Sequence, residues 1–163
     1  MTQKEKDLLL EDLCSRLLYG VKFMIDEMYL TEDMINAGYN KIQELYGITC
    51  EGNVELLNMD YHMPVESIKP YLFPLSSMSE EQRKEFLEIS HLENRSFYNR
   101  EEIVIVSNEV WTFDLGGDVD TEYRSIDIKR TRETVKWLDK NYFDWRGLIP
   151  MGLAEDATNL NIY

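Results

Sequence analysis

The stretch Ile42-Gln43-Glu44-Leu45-Tyr46-Gly47-Ile48-Thr49-Cys50-Glu51-Gly52-Asn53-Val54-Glu55-Leu56-Leu57-Asn58-Met59 decides the class of this fold. Two runs rich in apolar residues, 42–48 and 54–59, flank a short turn in which Gly52 and Asn53 accept positive φ angles. That pattern predicts a β-hairpin. Helical signals surround it. Thr2 and Glu5 have capping-box spacing, and Leu9, Leu10, Leu13, Leu17 and Leu18 recur every three or four residues, so an amphipathic helix runs to Tyr19-Gly20. Val21–Ile25 reads as a strand. Thr31–Tyr39 is ambiguous, because Thr31-Glu32-Asp33 starts a helix that Asn36, Gly38 and Asn40 weaken.

Pro64, Pro70 and Pro74 remove backbone donors, and residues 64–78 therefore read as an ordered connector. Ser79 with Gln82 offers a second capping box, opening a helix to about Leu92. Ile103–Val106 and Val110–Phe113 are β-branched runs joined tightly. A last helix begins at Thr131 or Arg132 and places Val135, Leu138 and Tyr142 on one face, with Trp137 at its border. The expected fold is α+β: a small, strongly bent antiparallel sheet or partly open, SH3-like barrel with packed helices. Residues 1–163 are expected to form a single domain, with a candidate division near 76–100 between a sheet half and a strand-helix half.

Seventeen basic against 31 acidic residues give a net charge of −14, divided evenly as −7 over residues 1–75 and −7 over 76–163. With 44% hydrophobic and 12% aromatic residues, that charge lies on a folded body and not on a disordered acidic tail. Such a surface repels phosphates and anionic headgroups, so neither nucleic acid nor membrane is an expected partner, whereas a basic protein is. The N-terminal residues lack a signal-peptide pattern, and no apolar run is long enough to span a bilayer, which sets the expected location as cytoplasmic. Cys14 and Cys50 are the only thiols; Cys14, inside the first helical pattern, is expected to be buried and reduced.

Motifs for chemistry are sparse. Asp118-x-Asp120-x-Glu122, with Asp114 upstream, begins like a calcium-binding loop. It puts Tyr123 where glycine is needed and Lys129 where the bidentate glutamate belongs, so a solvated acidic turn is the expectation. No metal, cofactor or catalytic residue is assigned. His62 and His91 stand apart, with no ligand or nucleophile motif beside them. The eight glycines allow no phosphate-binding signature. Around Arg146-Gly147, aromatic mass is dense: Trp137, Tyr142, Phe143, Trp145 and Arg146 are the interaction candidates, in composition like interface hot spots. Completion of the core by this segment is the reading weighed above it.

Three blocks carry a resemblance. Leu13–Val21, Ile68–Gln82 with its Lys-Pro-Tyr-Leu and Ser-Ser-Met-Ser-Glu-Glu, and Trp137–Ala154 with its Phe-Asp-Trp-Arg-Gly-Leu-Ile are similar to a family of small uncharacterised proteins from phages, prophages and mobile elements of gut bacteria. Leu18, Phe73 and Trp145 depart from the family pattern, which has proline, arginine and tyrosine there. The resemblance implies a mobile-element setting and no activity. The expected function is thus a non-enzymatic cytoplasmic interaction protein binding a protein partner. The alternative is an enzyme in which His62 or His91 meets carboxylates in a cleft.

Overall fold

In the computed structural model the described residues are 1–56, 62–89, 100–106, 109–114, 124–127 and 132–163. They form two compact units, residues 1–72 with 148–163 and residues 73–147. In chain order the elements are α1 (Gln3–Arg16), β1 (Lys22–Ile25), α2 (Glu32–Asn36), β2 (Ile42–Ile48), β3 (Asn53–Leu56), β4 (His62–Pro64), β5 (Ile68–Leu72), α3 (Glu80–Ile89), β6 (Arg100–Val106), β7 (Glu109–Asp114), β8 (Arg124–Asp127), α4 (Arg132–Lys140) and β9 (Glu155–Asp156). The class is α+β.

In the first unit the strands form one open sheet in the order β4-β3-β2-β1-β5-β9. Its pairs are antiparallel except β5–β9, so the sheet is mixed and does not close as an SH3-like barrel. The long chain between β5 and β9 allows the parallel return that no hairpin could make. α1 starts on the capping box read from the sequence: the Glu5 amide donates to Thr2 Oγ1, and the Thr2 amide donates to Glu5 Oε2 at 2.6 Å. It ends through a 3₁₀ turn at Gly20, whose φ of +65° only glycine adopts cheaply. Leu9 and Leu13 are buried, as are Val21, Phe23 and Ile25 of the first strand region and Leu45, Val54, Leu56, Ile68 and Leu72 of its neighbours.

Two charged side chains join this core. Asp12 and Arg16 are wholly buried one turn apart on α1, with Arg16 Nε 2.8 Å from Asp12 Oδ2 and Arg16 Nη2 2.9 Å from Asp12 Oδ1. Cys14, between them in sequence, faces outward and is exposed, as is Cys50, contrary to the expectation of a buried Cys14. The buried stripe runs through Leu9, Asp12, Leu13 and Arg16, and Cys14 falls about 100° beyond Leu13 around the helix.

The proline-rich connector is also corrected. Its middle is β5, between β1 and β9. The register pairs Phe23 with Pro70, and Ile25, two residues along β1, donates its amide to Lys41 on the β2 side. Phe23 therefore points its amide the same way, and the Phe23–Pro70 pair needs no hydrogen bond from the proline nitrogen. On the other side β9 begins only opposite Tyr71, so Pro70 sits where an edge would be. At the next position the strands are joined through a side chain. The Lys22 amide donates to the Tyr163 hydroxyl at 3.0 Å, and that hydroxyl donates to the Tyr71 carbonyl at 2.9 Å. Lys22 Nζ donates to the Ile162 carbonyl at 2.6 Å and stands 5.8 Å from the centre of the Tyr163 ring.

In the second unit, Leu75, Met78, Phe86, Trp137, Leu138, Phe143 and Trp145 form the core, with Phe73, Ile89 and Val135 packed at its margin. α3 opens on the second capping box, Gln82 N to Ser79 Oγ at 3.2 Å and Ser79 N to Gln82 Oε1 at 2.9 Å. β6, β7 and β8 form an antiparallel three-stranded sheet, of which the sequence indicated only the first two strands.

Removing the Tyr163 hydroxyl by Tyr163→Phe is expected to lower stability by about 1 kcal/mol in urea unfolding, with the amide of Lys22 exchanging faster. Asp12→Ala, which takes a carboxylate away from a buried guanidinium, is expected to cost about 3–5 kcal/mol, and Asp12→Leu with Arg16→Met much less. The capping-box hydrogen bonds, chiefly from the Thr2 amide, hold the Glu5 carboxyl below the ordinary glutamate range. Its contribution is therefore complete at neutral pH and is lost as pH falls through that lowered value. Fraying of α1 on acidification, followed by amide exchange and absent in Glu5→Gln, checks this.

Candidate functional site

The aromatic block singled out from the sequence is held by the end of α4. The Phe143 amide donates to the Leu138 carbonyl at 2.9 Å and the Tyr142 amide to Asp139 at 3.2 Å, the paired bonds of a Schellman motif. Tyr142 occupies the left-handed position at φ 59°, where glycine is usual, at a steric cost of about 1–2 kcal/mol. The turn returns the chain beside Phe73, whose amide donates to Tyr142 and whose carbonyl accepts from Asp144 at 2.8 Å. Trp137 and Phe143 then stack with ring centres 5.6 Å apart, and Phe86 tilts against Trp137 at 5.8 Å.

Asp139 is the polar centre of this arrangement. It is buried and accepts from Trp145 Nε1 at 2.8 Å and from Arg146 Nη1 at 3.4 Å. Arg146 is buried as well, its guanidinium carbon 3.8 Å from the centre of the Trp145 ring, so its charge meets a carboxylate and an aromatic face together. Of the five interaction candidates, Trp137, Phe143, Trp145 and Arg146 are thus buried in the second unit, and Tyr142 is half-buried. What they do there is structural chemistry: they anchor the polypeptide after α4.

The remaining candidates are dispersed. His62 lies exposed on β4, an edge strand, with Nδ1 3.9 Å from Glu55 Oε1, beyond hydrogen-bonding reach. His91, and Asp118, Asp120 and Glu122 of the acidic turn, lie outside the described residues, while Asp114 closes β7. Among the described residues no cluster of three or more metal-ligating side chains is present, and no helix is long and apolar enough to cross a membrane.

A different region stands out. Among the residues whose side chains are described, nine large apolar side chains are exposed, and five of them fall between residues 18 and 46 of the first unit: Leu18 (90%), Met28 (78%), Tyr46 (62%), Ile35 (54%) and Ile42. Met28 and Ile35 belong to the β1–β2 connection, beside exposed Asp26, Glu27, Glu32 and Asp33. Ile42 and Tyr46 lie on β2. Alternation along the strand puts Ile42 and Tyr46 on the side opposite buried Leu45, and a bulge between Leu45 and Gly47 then shifts the register; the sequence predicts the strand but does not say which of its faces is open.

Comparison with family models, with curated proteins and with solved structures yields no match.

Asp139→Ala, which removes the acceptor of Trp145 and the counter-charge of Arg146, is expected to destabilise the second unit by about 3–5 kcal/mol. Asp139→Asn, keeping an acceptor for the indole, should cost less. Urea unfolding followed by tryptophan fluorescence separates the two.

Proposed function

We propose that this chain is a non-enzymatic, cytoplasmic interaction protein of phage or mobile-element origin that binds a positively charged protein partner. The observation that carries the reading is the concentration of exposed apolar side chains between residues 18 and 46, set in an acidic surface. Solvent-facing Leu, Met, Ile and Tyr in one region favour association, and the surrounding carboxylates select the sign of the partner. The three sequence blocks support the mobile-element setting. The structural employment of Trp137, Phe143, Trp145 and Arg146 moves the expected contact surface from the second unit to the first.

Affinity capture from the host, with the wild-type chain and a Met28→Ser/Ile35→Ser/Tyr46→Ser variant side by side, tests the reading. A basic protein retained by the wild type, lost from the variant and eluted by salt is expected. Equal recovery on the variant, or no enrichment over an unrelated protein of the same charge, rejects it.

A further inference from the structure

On β2, Ile42, Glu44 and Tyr46 are all exposed and follow one another at every second residue, so they share the outer side of the sheet; β1 and β5 bury Phe23, Ile25, Ile68 and Leu72 on the other. Leu18 is close by in sequence, two residues before Gly20, where a Cβ would stand 2.7 Å from Glu44 Oε1. The bulge brings a second carboxylate to the strip. After it Gly47 pairs with Glu55, and the Glu55 carboxylate fills the space that a side chain on Gly47 would need.

The charge of Glu44 is left without an ion pair in a specific way. The register sets Lys22 directly opposite Glu44 on β1, an arrangement in which a cross-strand ion pair is the ordinary outcome. Lys22 is committed elsewhere, to the Ile162 carbonyl at 2.6 Å and the Tyr163 ring. Among the described residues no lysine or arginine pairs with Glu44 or Glu55, and beside Glu55 stands exposed His62, with Nδ1 3.9 Å from Glu55 Oε1.

We infer that this strip docks a lysine- or arginine-rich polypeptide segment of a partner protein, with a cationic side chain received by Glu44 between Ile42 and Tyr46. The inference rests on the interaction reading above and names its surface. A lysine or arginine presents a charged head and an aliphatic stem. Glu44 takes the head, Ile42 and Leu18 cover the stem, and the Tyr46 ring offers its face to the cation. A second copy of this chain would bring another −14 against the same carboxylates, and nucleic acid or anionic lipid would be repelled in the same way.

The experiment uses the full chain, labelled for amide NMR, and three synthetic peptides: an amphipathic lysine–leucine peptide, its glutamate–leucine counterpart and a lysine–serine peptide. The lysine–leucine peptide is expected to bind tightest and to shift the amides of residues 42–47. Tyr46→Ser should weaken it about tenfold and Glu44→Gln about threefold to tenfold, with melting temperatures unchanged. Equal binding of the lysine–serine peptide, or affinity untouched by both variants, overturns the inference as diffuse electrostatics. So does a concentration-dependent dimer that Tyr46→Ser abolishes, which would make the occupant a second copy. If a host protein is captured equally by wild type, Tyr46→Ser and Glu44→Gln, this strip is rejected while the interaction reading stands on the β1–β2 connection.

Discussion

The junction between β1 and β5 is the constraint on which the first unit turns. β5 carries a proline inside a sheet, and the ladder beside it is continued by a phenol: Tyr163 accepts from one strand and donates to the other. A single hydroxyl oxygen can do both at once, which neither a carbonyl oxygen nor an amide N–H can, so one tyrosine satisfies two backbone groups. Placing Tyr163 there also fixes Ile162, and Ile162 captures the lysine that would otherwise neutralise the outer face of β2. The same few ångströms therefore govern sheet order, the seating of residues 155–163 and the electrostatic character of the neighbouring strand's outer face.

Both units use buried charge in the same manner. Asp12 with Arg16, and Asp139 with Arg146, are acid–base pairs on or beside a helix, inside otherwise apolar surroundings. Such pairs add little net stability over apolar packing, yet they penalise every arrangement that separates the partners. Asp139 adds the indole of Trp145, so the turn after α4 is defined by directional bonds as well as by stacked rings.

What could be read from the sequence was local. Both capping boxes and the β2–β3 hairpin depend on residues within a few positions of one another, and each is where spacing alone places it. What could not be read was set by distant chain. Pro70 looks like a strand breaker until β1 supplies a pairing that leaves its nitrogen unused, and Glu155-Asp156 is too short to signal a strand. Asp12 and Arg16 look like solvent positions because each hides the other's charge. The aromatic block was legible as apolar mass but equally suited to core and interface, and only the Schellman turn at Tyr142 decides where it points. Conversely, Ile42 and Tyr46 are apolar residues of a strand whose open face only its pairing with the neighbouring strands reveals.

The first unit is discontinuous in sequence, and this has a consequence for synthesis. Residues 73–147 are contiguous and can collapse as soon as they leave the ribosome, whereas β5 has no outer neighbour until residues 155–156 have been made. Until then the β5 edge beyond Pro70 presents unpaired backbone, the condition that invites pairing with another nascent chain. The contact of Lys22 with Ile162 spans 140 positions of chain and carries a correspondingly large loop-closure entropy, and Pro70 keeps the exposed edge short until it forms.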